Sequence, residues 1–256
     1  MAVLSKLLKY DLRANLKIYL FVWPAIITLA LIDRLVLTVN LNGVIGSIFA
    51  VMTTFLFVLA LIAACILALI ISIIRFYSGL LRNEGYLMFT LPVKSWQLIL
   101  SKFLTALLTM AVTIGLSILC AIFVFGGIDG LLDMLSALLS ASDIPTGITL
   151  VLTILLTVVS LCIAILQIYL SCSIGHLFRR KRILFSILFY YAIDVTVDIV
   201  TILLMAVFIG TDSINHLLLS GGENVLLTVV LIAEMALGCA YFFISECLLR
   251  KHLNLE

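Results

Sequence analysis

Charge is what this chain has least of. Only 11% of its 256 residues are Asp, Glu, Lys or Arg and 65% are hydrophobic, against about 25% and 45–50% in soluble domains. With a mean hydropathy of +1.37, this excludes a soluble globule and defines a polytopic membrane protein. Signatures of catalysis are missing as well. No G-x-x-x-x-G-K-[ST] loop is present to cradle a phosphate, and no H-E-x-x-H, G-x-S-x-G or paired Cys/His ligand set occurs. His176, His216 and His252 are isolated beside membrane ends, so no metal site is expected. Cys65, Cys120, Cys162, Cys172, Cys239 and Cys247 all lie within apolar runs and form no C-x-x-C. They read as small buried hydrophobes, not as a disulfide framework. The N-terminus has no small-residue cleavage site after a short apolar core, so no removable signal peptide is expected. Internal repeats and low-complexity tails are also absent, and nucleic acid is not an expected partner.

What is there is length without charge. Six runs, 18–39, 48–74, 103–125, 148–174, 183–209 and 225–249, reach the ~20 residues that a helical span requires. The expected fold is an all-α polytopic membrane protein forming one domain. Tyr19 and Trp23 sit where interfacial aromatic anchors belong, and Pro24 is expected to kink the first helix. The second run is about 40 Å long as a helix, more than the ~30 Å of hydrocarbon, so it tilts or projects. Ahead of the spans, residues 2–17 form an amphipathic leader. Lys6, Lys9, Arg13 and Lys17 fall on one stripe, with Val3, Leu4, Leu7, Leu8 and Leu12 across from it. That pattern predicts an interfacial elbow helix with its lysines toward anionic lipid headgroups. Asp11 and Asn15 interrupt the apolar arc, so part of it faces protein.

The few charges are sorted by side. Fourteen of the fifteen basic residues lie in the leader, around the second and fourth connections, and in the tail. The alternate connections 40–47, 126–147 and 210–224 contain no Lys or Arg, but hold Asp129, Asp133, Asp143, Asp212 and Glu223. The positive-inside rule then makes both termini cytoplasmic. Within the fourth connection, His176-Leu177-Phe178-Arg179-Arg180-Lys181-Arg182 is a topology anchor, or a contact for anionic lipid. In the connection 126–147, Leu131, Leu132, Leu135, Leu138 and Leu139 recur at helical spacing, which predicts a short outer helix.

Charges stand inside the spans at Asp33 and Arg34 in the first, Asp194 and Asp198 in the fifth, and Glu234 in the sixth. A charge at mid-membrane costs a few kcal/mol, so each requires a partner or water. Arg34 and Asp198 both lie about 24 Å along their helices, which permits a pair within the chain or across a dimer. Pairing of Arg34 with Asp33, or snorkelling to the outer surface, is equally open. Asp194, Asp198 and Glu234 together also permit a proton or ion relay.

The second connection differs from every other. Arg82-Asn83-Glu84-Gly85-Tyr86-Leu87-Met88-Phe89-Thr90-Leu91-Pro92-Val93-Lys94, followed by Trp96 and Ser101-Lys102, is charged at its flanks and sticky in its middle, and Pro92 breaks its backbone pattern. Four apolar residues cannot cross a bilayer, so the segment 82–96 is built to meet another protein. With an elbow, six spans and cytoplasmic termini, this phrase resembles the permease subunit of ABC-2-type ATP-binding-cassette transporters. The resemblance implies that 82–96 is a coupling helix seated in a separate ATPase subunit, with Arg82, Glu84, Tyr86, Leu87, Met88 and Phe89 as the docking surface. It implies a non-enzymatic chain without cofactors, ATP and Mg being bound by the partner ATPase. It also implies a homo- or heterodimer of permease chains in the plasma membrane of a bacterium, exporting an amphiphilic or hydrophobic peptide, drug or lipid. Two other classes fit the residues: an ion- or proton-coupled secondary transporter using Asp194, Asp198 and Glu234, and a membrane scaffold or sensor that transports nothing.

Overall fold

The computed structural model describes residues 2–39, 44–81, 95–140, 144–178, 181–209 and 223–252. These form six long helices: α1 (Ala2–Val39), α2 (Val44–Phe76), α3 (Ser95–Ser140), α4 (Ile144–His176), α5 (Arg182–Ile209) and α6 (Glu223–His252). A π-helical turn, Tyr77–Leu81, continues α2. Each of the six contains a stretch long and apolar enough to cross a membrane, so the architecture is that of an all-α, multi-pass membrane protein. The chain divides into two compact units, residues 1–75 with 100–140, and residues 76–99 with 141–256.

In the first unit, α1 differs from the expectation of a leader joined to a separate span. One helix runs from Ala2 to Val39 with Pro24 inside it. The cause lies in its buried face. Asp11, Asn15, Tyr19, Ile26, Ala30 and Asp33 are all buried, spaced three, four or seven residues apart along a single stripe. Leader and span therefore present one continuous face, and no glycine or proline lies at their junction to break it. Lys6, Lys9, Arg13 and Lys17 are exposed on the other side. At ~1.5 Å per residue α1 is about 57 Å long, well beyond the hydrocarbon thickness.

The apolar core of this unit is Ile26, Ala30, Phe57, Ala64, Cys120 and Val124, flanked by Val22, Leu29, Leu37, Leu61 and Leu116. It joins the later half of α1 to α2 and α3. Helix α3 is interrupted once, at Gly127, whose φ of 68° and ψ of −155° belong to a region only glycine enters easily. Beyond the break a short helix continues to Ser140. There Leu132, Asp133 and Ser136 are exposed.

In the second unit, α4 packs against both α5 and α6, and against the π turn. Ile165, Leu166, Tyr169, Leu170 and Cys172 of α4 are buried. The α4–α5 junction is tight because Gly175 lacks a side chain. A Cβ there would stand 2.7 Å from the Ser186 backbone nitrogen and 2.8 Å from its Cα. The last turn of α4 is closed by Leu177 N–H donating to Ile174 C=O and Phe178 N–H to Gly175 C=O. Phe178 then stacks on Phe185 at 4.3 Å between ring centroids, and Lys181 takes a positive φ of 56° at the turn.

Candidate functional site

The polar side chains of the first unit converge on the seam between α1 and α3. Asp11 accepts hydrogen bonds from Lys102 Nζ at 2.5 Å and from Ser101 Oγ at 3.3 Å. Three turns on, Trp23 Nε1 donates to Thr113 Oγ1 at 3.1 Å. Further still, Arg34 Nη1 donates to the Val124 carbonyl at 3.1 Å. Each partner lies 90 or 91 positions after its mate. The two helices are thus parallel and in fixed register over most of α1.

That register explains a feature of α3 that resists explanation by hydropathy alone. Ser101, Thr105, Thr109, Thr113 and Ser117 recur every fourth residue and are all buried, which places them on one face. The stripe faces the buried stripe of α1. Asn15 falls level with Thr105, and Tyr19 Oη lies against Thr109. Each hydroxyl from Thr105 to Ser117 donates to a backbone carbonyl one turn earlier, so its lone pairs face the seam. The charged and hydroxylic half of the ladder lies at the 11/101 end, and the apolar cluster follows it.

The same short segment of α1 ties both legs of the α2–α3 hairpin. Arg75, at the end of α2, donates to the Ala14 carbonyl at 2.9 Å, while Asp11 holds Ser101 and Lys102 near the start of α3. The Asp11 and Lys102 side chains are 6% and 8% exposed, so little solvent screens their attraction. In the second unit, the next residues of the hairpin are also fixed. Phe76 stacks on Tyr169 with centroids 3.9 Å apart and planes 10° from parallel, and Tyr77 meets His176 edge-on. Leu98 and Ile99 are each only 1% exposed.

The intramembrane charges find partners that charge patterns alone do not reveal. Arg34 bonds a backbone carbonyl. The break at Gly127 interrupts α3 three residues after Val124, at the point where carbonyls of the preceding helix approach its C-terminal end. A guanidinium at that helix C-terminus satisfies the carbonyl and opposes the negative end of the helix dipole. Gly127 also makes room for it, since a Cβ there would collide with Arg34 Nη2. Asp33, 1% exposed, accepts a hydrogen bond from Thr54 Oγ1 at 3.1 Å. Asp194 accepts from Gln167 Nε2 at 3.3 Å, with Tyr190 and Tyr241 near its carboxylate. Glu234 accepts from Ser160 Oγ at 3.0 Å, and Asn224 from Thr149. Asp198 is exposed on α5.

Asp11, Asn15, Ser101, Lys102 and the threonine stripe thus form the site, together with Arg75. Of these, the interruption of the leader by Asp11 and Asn15 and the pair Ser101-Lys102 are conspicuous in the sequence. The four-residue recurrence of Thr and Ser in α3 is the signal that would have located the opposite face. Arg82, Glu84, Tyr86, Leu87, Met88, Phe89, Arg179 and Arg180 lie outside the described residues. Among the described residues, no group of His, Cys, Asp and Glu is arranged to hold a metal ion. No protein family, curated protein or solved structure matches this chain.

Proposed function

We propose that this chain is the membrane-spanning permease subunit of an ABC-2-type exporter, and that its segment 82–96 docks on a separate ATPase chain. The observation that carries this reading is the bracing of the hairpin at both legs. Asp11 and Ala14 hold Lys102, Ser101 and Arg75, just where the chain leaves for and returns from the docking phrase. A segment that receives force from a closing ATPase dimer is useful only if its base does not yield. A buried ion pair and stacked rings supply that stiffness. In this reading both termini are cytoplasmic, a second permease chain completes the path, and ATP and Mg bind on the ATPase. The exported molecule is an amphiphilic or hydrophobic peptide, drug or lipid.

The test is co-purification. Phe89→Ala combined with Glu84→Lys removes an apolar anchor and reverses a register charge. The expected outcome is loss of the ATPase from the purified complex with an unchanged gel-filtration profile of the permease. Undiminished co-purification rejects the docking role. A second reading, an ion- or proton-coupled transporter, is favoured by the exposed carboxylate of Asp198 within α5. It predicts transport that follows an imposed ion gradient without ATP and that is lost in Asp198→Asn.

A further inference from the structure

We propose that the middle of the α1–α3 seam is a hydrated site, in which bound water bridges Asn15 and Tyr19 of α1 to Thr105 and Thr109 of α3. Two atoms point to it. Asn15 Oδ1 is buried with no hydrogen-bond partner, and Tyr19 Oη has none but the Thr109 hydroxyl beside it, in residues 3% and 0% exposed. An amide oxygen left bare in an apolar setting gives up its hydration for nothing, so native proteins rarely tolerate one.

The facing helix cannot supply the missing donor. The Thr105 hydroxyl hydrogen is directed at the Ser101 and Lys102 carbonyls, and that of Thr109 at the Thr105 and Ala106 carbonyls. What α3 offers across the seam is lone pairs. Asn15 Oδ1 offers only lone pairs as well. The occupant must therefore donate two hydrogen bonds, one of them to Asn15 Oδ1, and any bond it accepts comes from Tyr19 Oη, whose other acceptor is the Thr109 oxygen. A metal cation would also satisfy a set of oxygens, but these oxygens are all neutral, and the Asp11 carboxylate one turn away is taken up by Lys102. Water has the required valence and no charge. The rungs on either side close directly, through Lys102–Asp11 and Trp23–Thr113, so the water is confined between them.

Hydroxyl-radical labelling by X-ray pulses tests this, because radicals form on bound water and mark adjacent side chains. The intact protein in lipid nanodiscs is irradiated and its oxidised residues quantified, each rate normalised to the ring's intrinsic reactivity. Tyr19 is expected to label at least about tenfold faster than Phe57, which is equally buried but lies in the dry apolar cluster. Asn15→Leu and Thr105→Val are each expected to lower the Tyr19 rate at least about fivefold, leaving that of the 72% exposed Tyr10 unchanged. A Tyr19 rate below that multiple of Phe57 overturns the proposal, and this comparison needs no variant. A Tyr19 rate unmoved in both variants, each shown to be folded by gel filtration, overturns it too.

Discussion

Replacing Lys102 by methionine removes the ammonium and keeps most of the aliphatic stem, which isolates the charge. At 2.5 Å and an effective dielectric constant of ~20, attraction between Lys102 and Asp11 is about 6–7 kcal/mol. Desolvation of the two groups takes back several kcal/mol, so the pair as a whole contributes little net stability. The single replacement is different. It leaves a carboxylate 6% exposed, held among the described residues by the 3.3 Å hydrogen bond from Ser101 alone. Such an orphaned charge costs about 3–5 kcal/mol, or roughly 10²- to several 10³-fold in the folding equilibrium. Adding Asp11→Leu removes the orphan and is expected to return stability to within about 1–2 kcal/mol of the native chain. The assay is reversible unfolding of the purified protein in mixed micelles, run as a double-mutant cycle. A double variant destabilised by the sum of the Lys102→Met and Asp11→Leu effects would mean that the two residues are not coupled, and would refute the bracing. If the brace transmits force as proposed, the double variant recovers stability without recovering coupled transport. The two readouts then separate the ion pair's mechanical role from its structural one.

Two further outcomes follow from the same unit. Gly127→Ala places a methyl group where Arg34 Nη2 now lies and forces alanine to a φ of 68° with ψ −155°. The expected loss is about 3–5 kcal/mol, combining backbone strain with a charge-assisted hydrogen bond, and is read by the same unfolding assay. Thr113→Val removes the acceptor of the Trp23 indole N–H without changing side-chain volume. It is expected to cost about 1–2 kcal/mol and to shift Trp23 emission to the blue in a Trp96→Phe background, with Thr113→Ser restoring both.

The parts of this fold that were legible in the sequence were those set by the solvent. Each long run without charge becomes a helix, because lipid leaves the backbone no other way to satisfy itself. The leader was legible as a helix but not as part of α1. Its exposed lysine stripe suggests an element lying flat, whereas the face that decides its course is the buried one, from Asp11 through Asn15 and Tyr19 to Ile26. Arg34 stands out at once, yet its acceptor is a backbone carbonyl three residues before a glycine break, and carbonyls carry no letter in a sequence. Asp194 and Glu234 similarly turn to Gln167 and Ser160. Neutral polar residues in a span attract less notice than opposite charges, although a carboxylate needs donors more than it needs a cation.

The constant offset between α1 and α3 also sets a schedule for assembly. Arg34 reaches the membrane 90 residues before the Val124 carbonyl that it will cap is synthesised, and Asp11 precedes Lys102 by 91. At about 5–20 residues per second, the first helix waits roughly 5–18 s for its mate. During that delay a carboxylate and a guanidinium must be sheltered by the insertion machinery or by lipid headgroups. The nascent protein is thus most exposed to misinsertion and proteolysis before its third helix arrives.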